Sequence, residues 1–263
     1  MNRVSKKTIA ASKPFMFIVG PDQTEYTIHS ALVQHQSPAL AALVNSGFKE
    51  STELSVKWDD VDETTFSSFW QFVYADDYDT PLSDTADPDS DPAEDTDISC
   101  DDADSDRKVW RMKQMAEMRK WKWKGISKYE LFSLEFERAW NFRKDDLKVD
   151  DALRERSNSL VHHARVFVLA DRYGIERLMD LSLGKLHDEL RVVDLTEKNT
   201  KSVLELLRYA FYNPVSEALR KMVTCYAVCV VEQLWEEEEF QDLVEDNGAL
   251  SKALVGTLLR RLD

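Results

Sequence analysis

Glycine is scarce in this chain, with seven in 263 residues. Phosphate-binding loops depend on glycine for close backbone approach. No Gly-rich phosphate loop occurs, and a backbone cradle is not expected. HExxH, GxSxG and CxxC are also missing, which removes common signatures of zinc proteases, serine hydrolases and dithiol redox proteins. Three cysteines do not make a disulfide framework. Cys225 and Cys229 stand one helical turn apart among Val and Ala, with no His or second Cys pair to complete a metal set. They read as buried structural thiols, and a reducing, intracellular compartment is the expectation. No apolar run reaches transmembrane length. Met1 to Lys13 carries lysines but no apolar core, so it does not read as a secretory leader.

Charge is abundant but unevenly placed. The formal net charge is −15, yet fourteen of the acidic residues fall between Asp76 and Asp106, where there is no Lys, Arg or His. The rest of the chain is close to neutral. This proline-broken tract has almost nothing apolar, so it cannot offset the entropy of ordering. It reads as a disordered acidic loop over 76–106.

The sign then reverses. Arg107 to Lys124 holds eight basic residues and one Glu, interleaved with three methionines and with Trp110, Trp121 and Trp123. Such a basic, aromatic segment suits an anionic membrane surface, nucleic acid or an acidic protein groove. It equally suits a helix that packs its Trp and Met on the domain and turns its cations to water.

Before the acidic tract the chain alternates short elements. Phe15 to Val19 is an apolar run ended by Gly20-Pro21, the pattern of a buried strand and a turn. Glu25 to His29 returns as the second strand of a hairpin. Ser30 opens a short helix with Ala31, Leu32 and Val33. Ser37-Pro38 is a helix start, and that helix runs to near Gly47. Leu54 to Trp58 is a third strand. Asp60 and Glu63 have capping-box spacing. Phe66, Phe69, Trp70 and Val73 then form the apolar face of a buried helix.

In this order, several of these pieces resemble the BTB/POZ domain in a form common among filamentous-fungal proteins. The matching residues are Phe17-Ile18-Val19-Gly20, His29 with Leu32, Ser37-Pro38-Ala39-Leu40, Gly47-Phe48-Lys49-Glu50-Ser51 and Phe66 through Tyr78. After a long gap, His163 to Ile175 and Leu178 match as well. The resemblance covers somewhat under half the chain. It implies an α+β fold, a short three-stranded sheet with surrounding helices, and a helical hairpin over 158–190. It implies a buried, hydrogen-bonded role for His29. It also implies that Phe48 and Glu50 stand where a hydrophobic-x-Glu triplet docks a cullin scaffold in adaptors of ubiquitin ligases. Swapped dimers of the family carry a longer N-terminal arm with an Asp entering the first strand. Here the place reads Lys13-Pro14-Phe15, so self-association by that route is not expected.

The remainder reads as helical. Tyr129 to Phe142 carries Leu131, Leu134, Phe136, Ala139 and Trp140. Asn158 opens a long helix ended by Tyr173-Gly174 in a left-handed cap. His162-His163 are adjacent on it, so one is expected toward the core and one toward solvent. Thr200 and Ser216 read as helix caps, Glu236 to Glu239 as a surface charge run and Gly248 as the end of a short segment. Leu250, Leu254, Leu258 and Leu262 line a last helix.

The expected organisation is an N-terminal tail (1–13) and a BTB/POZ-like domain (14–195). A charged insertion at about 76–157 interrupts the domain, acidic over 76–106 and basic-aromatic over 107–125. An all-helical C-terminal extension (196–263) follows. The expected function is non-catalytic protein–protein interaction without a cofactor, as an adaptor linking a partner to a cullin-type ubiquitin ligase. The alternative is a nuclear, transcription-associated regulator that touches nucleic acid or chromatin through 107–124. Candidate partner-binding residues are Phe48, Glu50, Trp110, Arg111, Trp121 and Trp123.

Overall fold

The computed structural model describes residues 4–45, 53–80, 132–136, 159–193 and 195–262. The protein is mixed α+β, with one small sheet and many helices. Strand β1 (Pro14–Val19) pairs antiparallel with β2 (Thr24–His29) and parallel with β3 (Ser55–Trp58), giving the order β2-β1-β3. Alternation in β1 turns Phe15, Phe17 and Val19 inward, each fully buried. Gly20 ends the strand at φ +69°, in the left-handed region that glycine occupies without penalty.

Two short helices, α2 (Ser30–Gln36) and α3 (Pro38–Asn45), link β2 to β3. Ser37 caps α3, its Oγ accepting from the Leu40 N–H at 3.1 Å. Helix α4 (Glu63–Ala75) lies on the sheet and buries Phe66, Phe69, Phe72 and Val73. The rings of Phe17, Trp58, Phe66 and Phe69 meet mostly edge-on, with centroids 4.9–6.1 Å apart. Each fully buried phenylalanine contributes roughly 3 kcal/mol by area removed from water.

A helical hairpin follows, α5 (Ser159–Arg172) and α6 (Glu176–Val192). Gly174 joins them at φ +62°. Its N–H bonds to the Asp171 carbonyl at 3.2 Å, and the Ile175 N–H bonds to the Ala170 carbonyl at 2.8 Å. That pair of bonds is a Schellman end. The C-terminal helices are α7 (Glu197–Tyr212), α8 (Glu217–Cys229), α9 (Val231–Leu234), α10 (Glu238–Asp246) and α11 (Gly248–Leu262). Cys225 and Cys229 are both buried on α8. No described helix is long and apolar enough to cross a membrane.

Apolar side chains gather in two clusters. One lies under the sheet and α4, the other among α5 to α11, and α5 supplies both. Val166, Leu169 and Ala170 belong to the first, whereas Leu160, Val161, Ala164 and Phe167 belong to the second.

The structure corrects several expectations. The N-terminal tail contains a helix, α1 (Lys6–Ala11), capped by Ser5, and Val4 and Ile9 pack on the sheet cluster. The cap of α4 is Asp62, not Asp60, because Val61 is buried and Asp60 is turned to Arg172. Trp70 is 38 % exposed; Phe72 takes its place in the core. The acidic tract is ordered over 76–79, since Tyr78 is an aromatic anchor only 2 % exposed. Helix α7 starts after Thr196, leaving Thr200 inside it. The helix that Ser216 opens is broken at Val230 into α8 and α9. The charge run after it leads into α10, which buries Phe240 and Leu243. Gly248 opens α11 rather than ending a segment; Asn247 Oδ1 accepts from the N–H groups of Ala249 and Leu250.

Candidate functional site

Phe48 and Glu50 fall in 46–52, between the end of α3 and β3. Trp110, Arg111, Trp121 and Trp123 fall in 81–131. All six lie outside the described residues, as do the acidic positions 81–106 and most of the segment Tyr129 to Phe142. Of that segment, 132–136 is helical, with Phe136 buried against the second cluster.

A group of buried polar side chains stands where the insertion leaves and rejoins the fold. Helix α4 ends at Asp76 in a left-handed turn, and the chain then passes Tyr78 and Thr80. The Tyr78 hydroxyl lies 2.8 Å from His163 Nδ1 on α5. On the other side of that ring, Nε2 lies 3.5 Å from Glu189 Oε2 on α6 and 3.4 Å from Thr80 Oγ1. Glu189 Oε1 accepts from the Ser159 hydroxyl, the first residue of α5. One carboxylate thus holds the re-entry point directly and the exit point through an imidazole. Lys185 reinforces the exit, with Nζ 2.9 Å from Asp77 and 4.9 Å from the centre of the Tyr78 ring.

His162 points elsewhere, with Nε2 2.9 Å from Ser68 Oγ on α4. Both histidines are buried, His162 at 8 % and His163 at 2 % exposure, so neither faces solvent as the sequence suggested. The reason is the position of α5 between two apolar clusters, which buries Ser159 to Ala164 without a break. Adjacent residues on a helix still diverge, so one imidazole meets α4 and the other the root of the insertion. Burial pushes His162 down to about 4; Arg165 adds to this and Asp62 opposes it. Burial also pushes the Tyr78 phenol well above its ordinary value, helped by Asp77 and Glu189. The phenol is held neutral and enclosed. The arrangement fastens chain segments together.

Ion pairs repeat that theme at both ends of α4. Arg165 reaches Asp62 at 3.8 Å, Arg177 reaches Asp76 at 3.0 Å and Arg172 pairs with Asp60. Burial alone would raise the Asp62 carboxyl; hydrogen bonds from Thr64 and Thr65, with Arg165 nearby, hold it below its ordinary value.

His29, expected to be buried, is half-buried. Its Nδ1 lies 3.0 Å from the Tyr74 hydroxyl. None of these histidine contacts was legible in the sequence. Comparison with protein-family models finds no match for this chain, and comparison with curated proteins finds none.

Proposed function

We propose that this chain is a non-catalytic protein-interaction module of BTB/POZ type, an adaptor that presents Phe48 and Glu50 to a cullin-type scaffold. The observation that supports it is the order of elements. An antiparallel hairpin is followed by two short helices, then a strand parallel to the first, then α4 and a helical hairpin. This is the order in which the BTB-like residues occur along the sequence. In the sequence, residues 46–52 lie between α3 and β3. Phe48 would give the aromatic anchor and Glu50 the charged contact of a small hot spot.

The test is a titration of purified cullin scaffold with the full chain and with Phe48→Ala/Glu50→Ala, with circular dichroism to check the fold. Loss of a two-residue hot spot should cost at least about 2 kcal/mol, roughly a thirtyfold weaker Kd. Equal affinity, or no binding by the wild type, refutes the adaptor mechanism.

A further inference from the structure

Among the described residues strand β2 is an edge of the sheet, and its outward groups can be assigned from the ladder. The Met16 N–H donates to the Leu54 carbonyl at 2.8 Å, so Met16 turns its main chain toward β3. Its cross-strand partner Thr27 therefore turns its N–H and C=O away from β1. Glu25 and His29, two residues to either side, do the same. Glu25 and Thr27 are exposed. A row of unpaired strand groups like this is a template for another strand.

Two side chains of α4 occupy that row. Trp70 Nε1–H donates to the Thr27 carbonyl at 3.3 Å. The Tyr74 hydroxyl accepts from the His29 N–H at 3.4 Å, leaving its proton for His29 Nδ1 at 3.0 Å. The two rings lie 4.8 Å apart and remain 38 % and 43 % exposed. Both side chains are partly exposed, and they stand where the edge needs covering.

The outward row is also self-complementary. Pair β2 antiparallel with β2 of a second copy, centred on Thr27. Thr27 then stands opposite Thr27, and Glu25 stands opposite His29 at both ends. Such a pairing closes about a two-fold axis and matches a carboxylate with an imidazole. It requires the Thr27 carbonyl and the His29 N–H, the two groups that Trp70 and Tyr74 hold. We propose that β2 is a self-pairing edge for a second copy of this chain, kept shut by Trp70 and Tyr74.

The test uses the full chain in sedimentation velocity over a concentration series, with circular dichroism to check folding. Trp70→Phe/Tyr74→Phe keeps an aromatic ring at each position and removes both polar caps; Trp70→Ala/Tyr74→Ala also removes the rings. Self-association should strengthen at least about tenfold over the wild type in either variant that folds, the worth of one or two net hydrogen bonds released for pairing. Adding Thr27→Pro should abolish the gain without harming the sheet. Proline is tolerated on an edge strand where its missing N–H faces outward. No gain in either variant that folds overturns the proposal. So does a gain that Thr27→Pro leaves intact, or wild-type association that Thr27→Pro removes.

Discussion

Acid should weaken this fold through His162. The imidazole has an ordinary value of 6.5, and burial lowers it to about 4 in the folded state. The neutral form is favoured by folding, so its stability contribution is complete above pH 6.5. It is lost as pH falls toward 4, because the unfolded chain takes up the proton first. The full difference is about 3 kcal/mol, from 1.36 kcal/mol per unit. Between pH 6 and 4.5 the expected loss is about 2 kcal/mol, since each end of that interval titrates only part of a proton. Asp62 also loses stability on acidification, but its carboxyl is held below 3.8 and acts below this window. The assay is urea unfolding at half-unit pH steps for the wild type and for His162→Gln. Glutamine does not titrate and retains an amide for Ser68. The difference in unfolding free energy between the two should narrow, or turn in favour of the variant, by about 2 kcal/mol over that range. Parallel curves would refute the assignment of a buried, neutral His162.

Two further outcomes are expected. Gly174→Ala places a Cβ in open space but keeps φ at +62°, so only backbone strain opposes it. The cost should be about 1–2 kcal/mol, seen as a melting temperature lower by a few degrees; an unchanged Tm would mean that the Schellman end is not maintained in solution. Replacing residues 81–106 by a short Gly/Ser linker should leave one cooperative transition, because Tyr78 and Ser159 are fastened through His163 and Glu189 and loop length alone changes closure by less than about 1 kcal/mol. A broadened or split transition in calorimetry would show that the acidic tract takes part in the fold.

What the sequence revealed depended on how many sides of an element are buried. Strand β1 has one buried face, so Phe15, Phe17 and Val19 alternate with half-buried residues and its register is legible. Helix α4 rests on a single cluster, and Phe66, Phe69 and Val73 reveal its face. Only Trp70 misled, because one aromatic ring on that helix serves the sheet edge instead of the core. In α10, two apolar residues three apart, Phe240 and Leu243, were obscured by carboxylates whose side chains mostly face water. The polar cluster at the insertion root was not legible at all. Its members are separated by up to 111 positions, from Tyr78 to Glu189, and no local pattern joins them.

Helix α5 explains why a long, highly charged segment can be placed inside this fold. An insertion usually sits where the chain meets solvent, with its ends held by turn geometry. Here both ends meet a helix that has apolar clusters on two sides, so the polar groups of that helix must find partners within the protein. Ser159 and His163 find them in Glu189 and Tyr78, which are also the groups that fix the re-entry and the exit. His162, one position away, is directed to Ser68 and ties α5 to α4. Satisfying Ser159 and His163 and closing the insertion are therefore the same set of contacts. A change at Tyr78, His163 or Glu189 strands a buried polar partner and loosens both stems together.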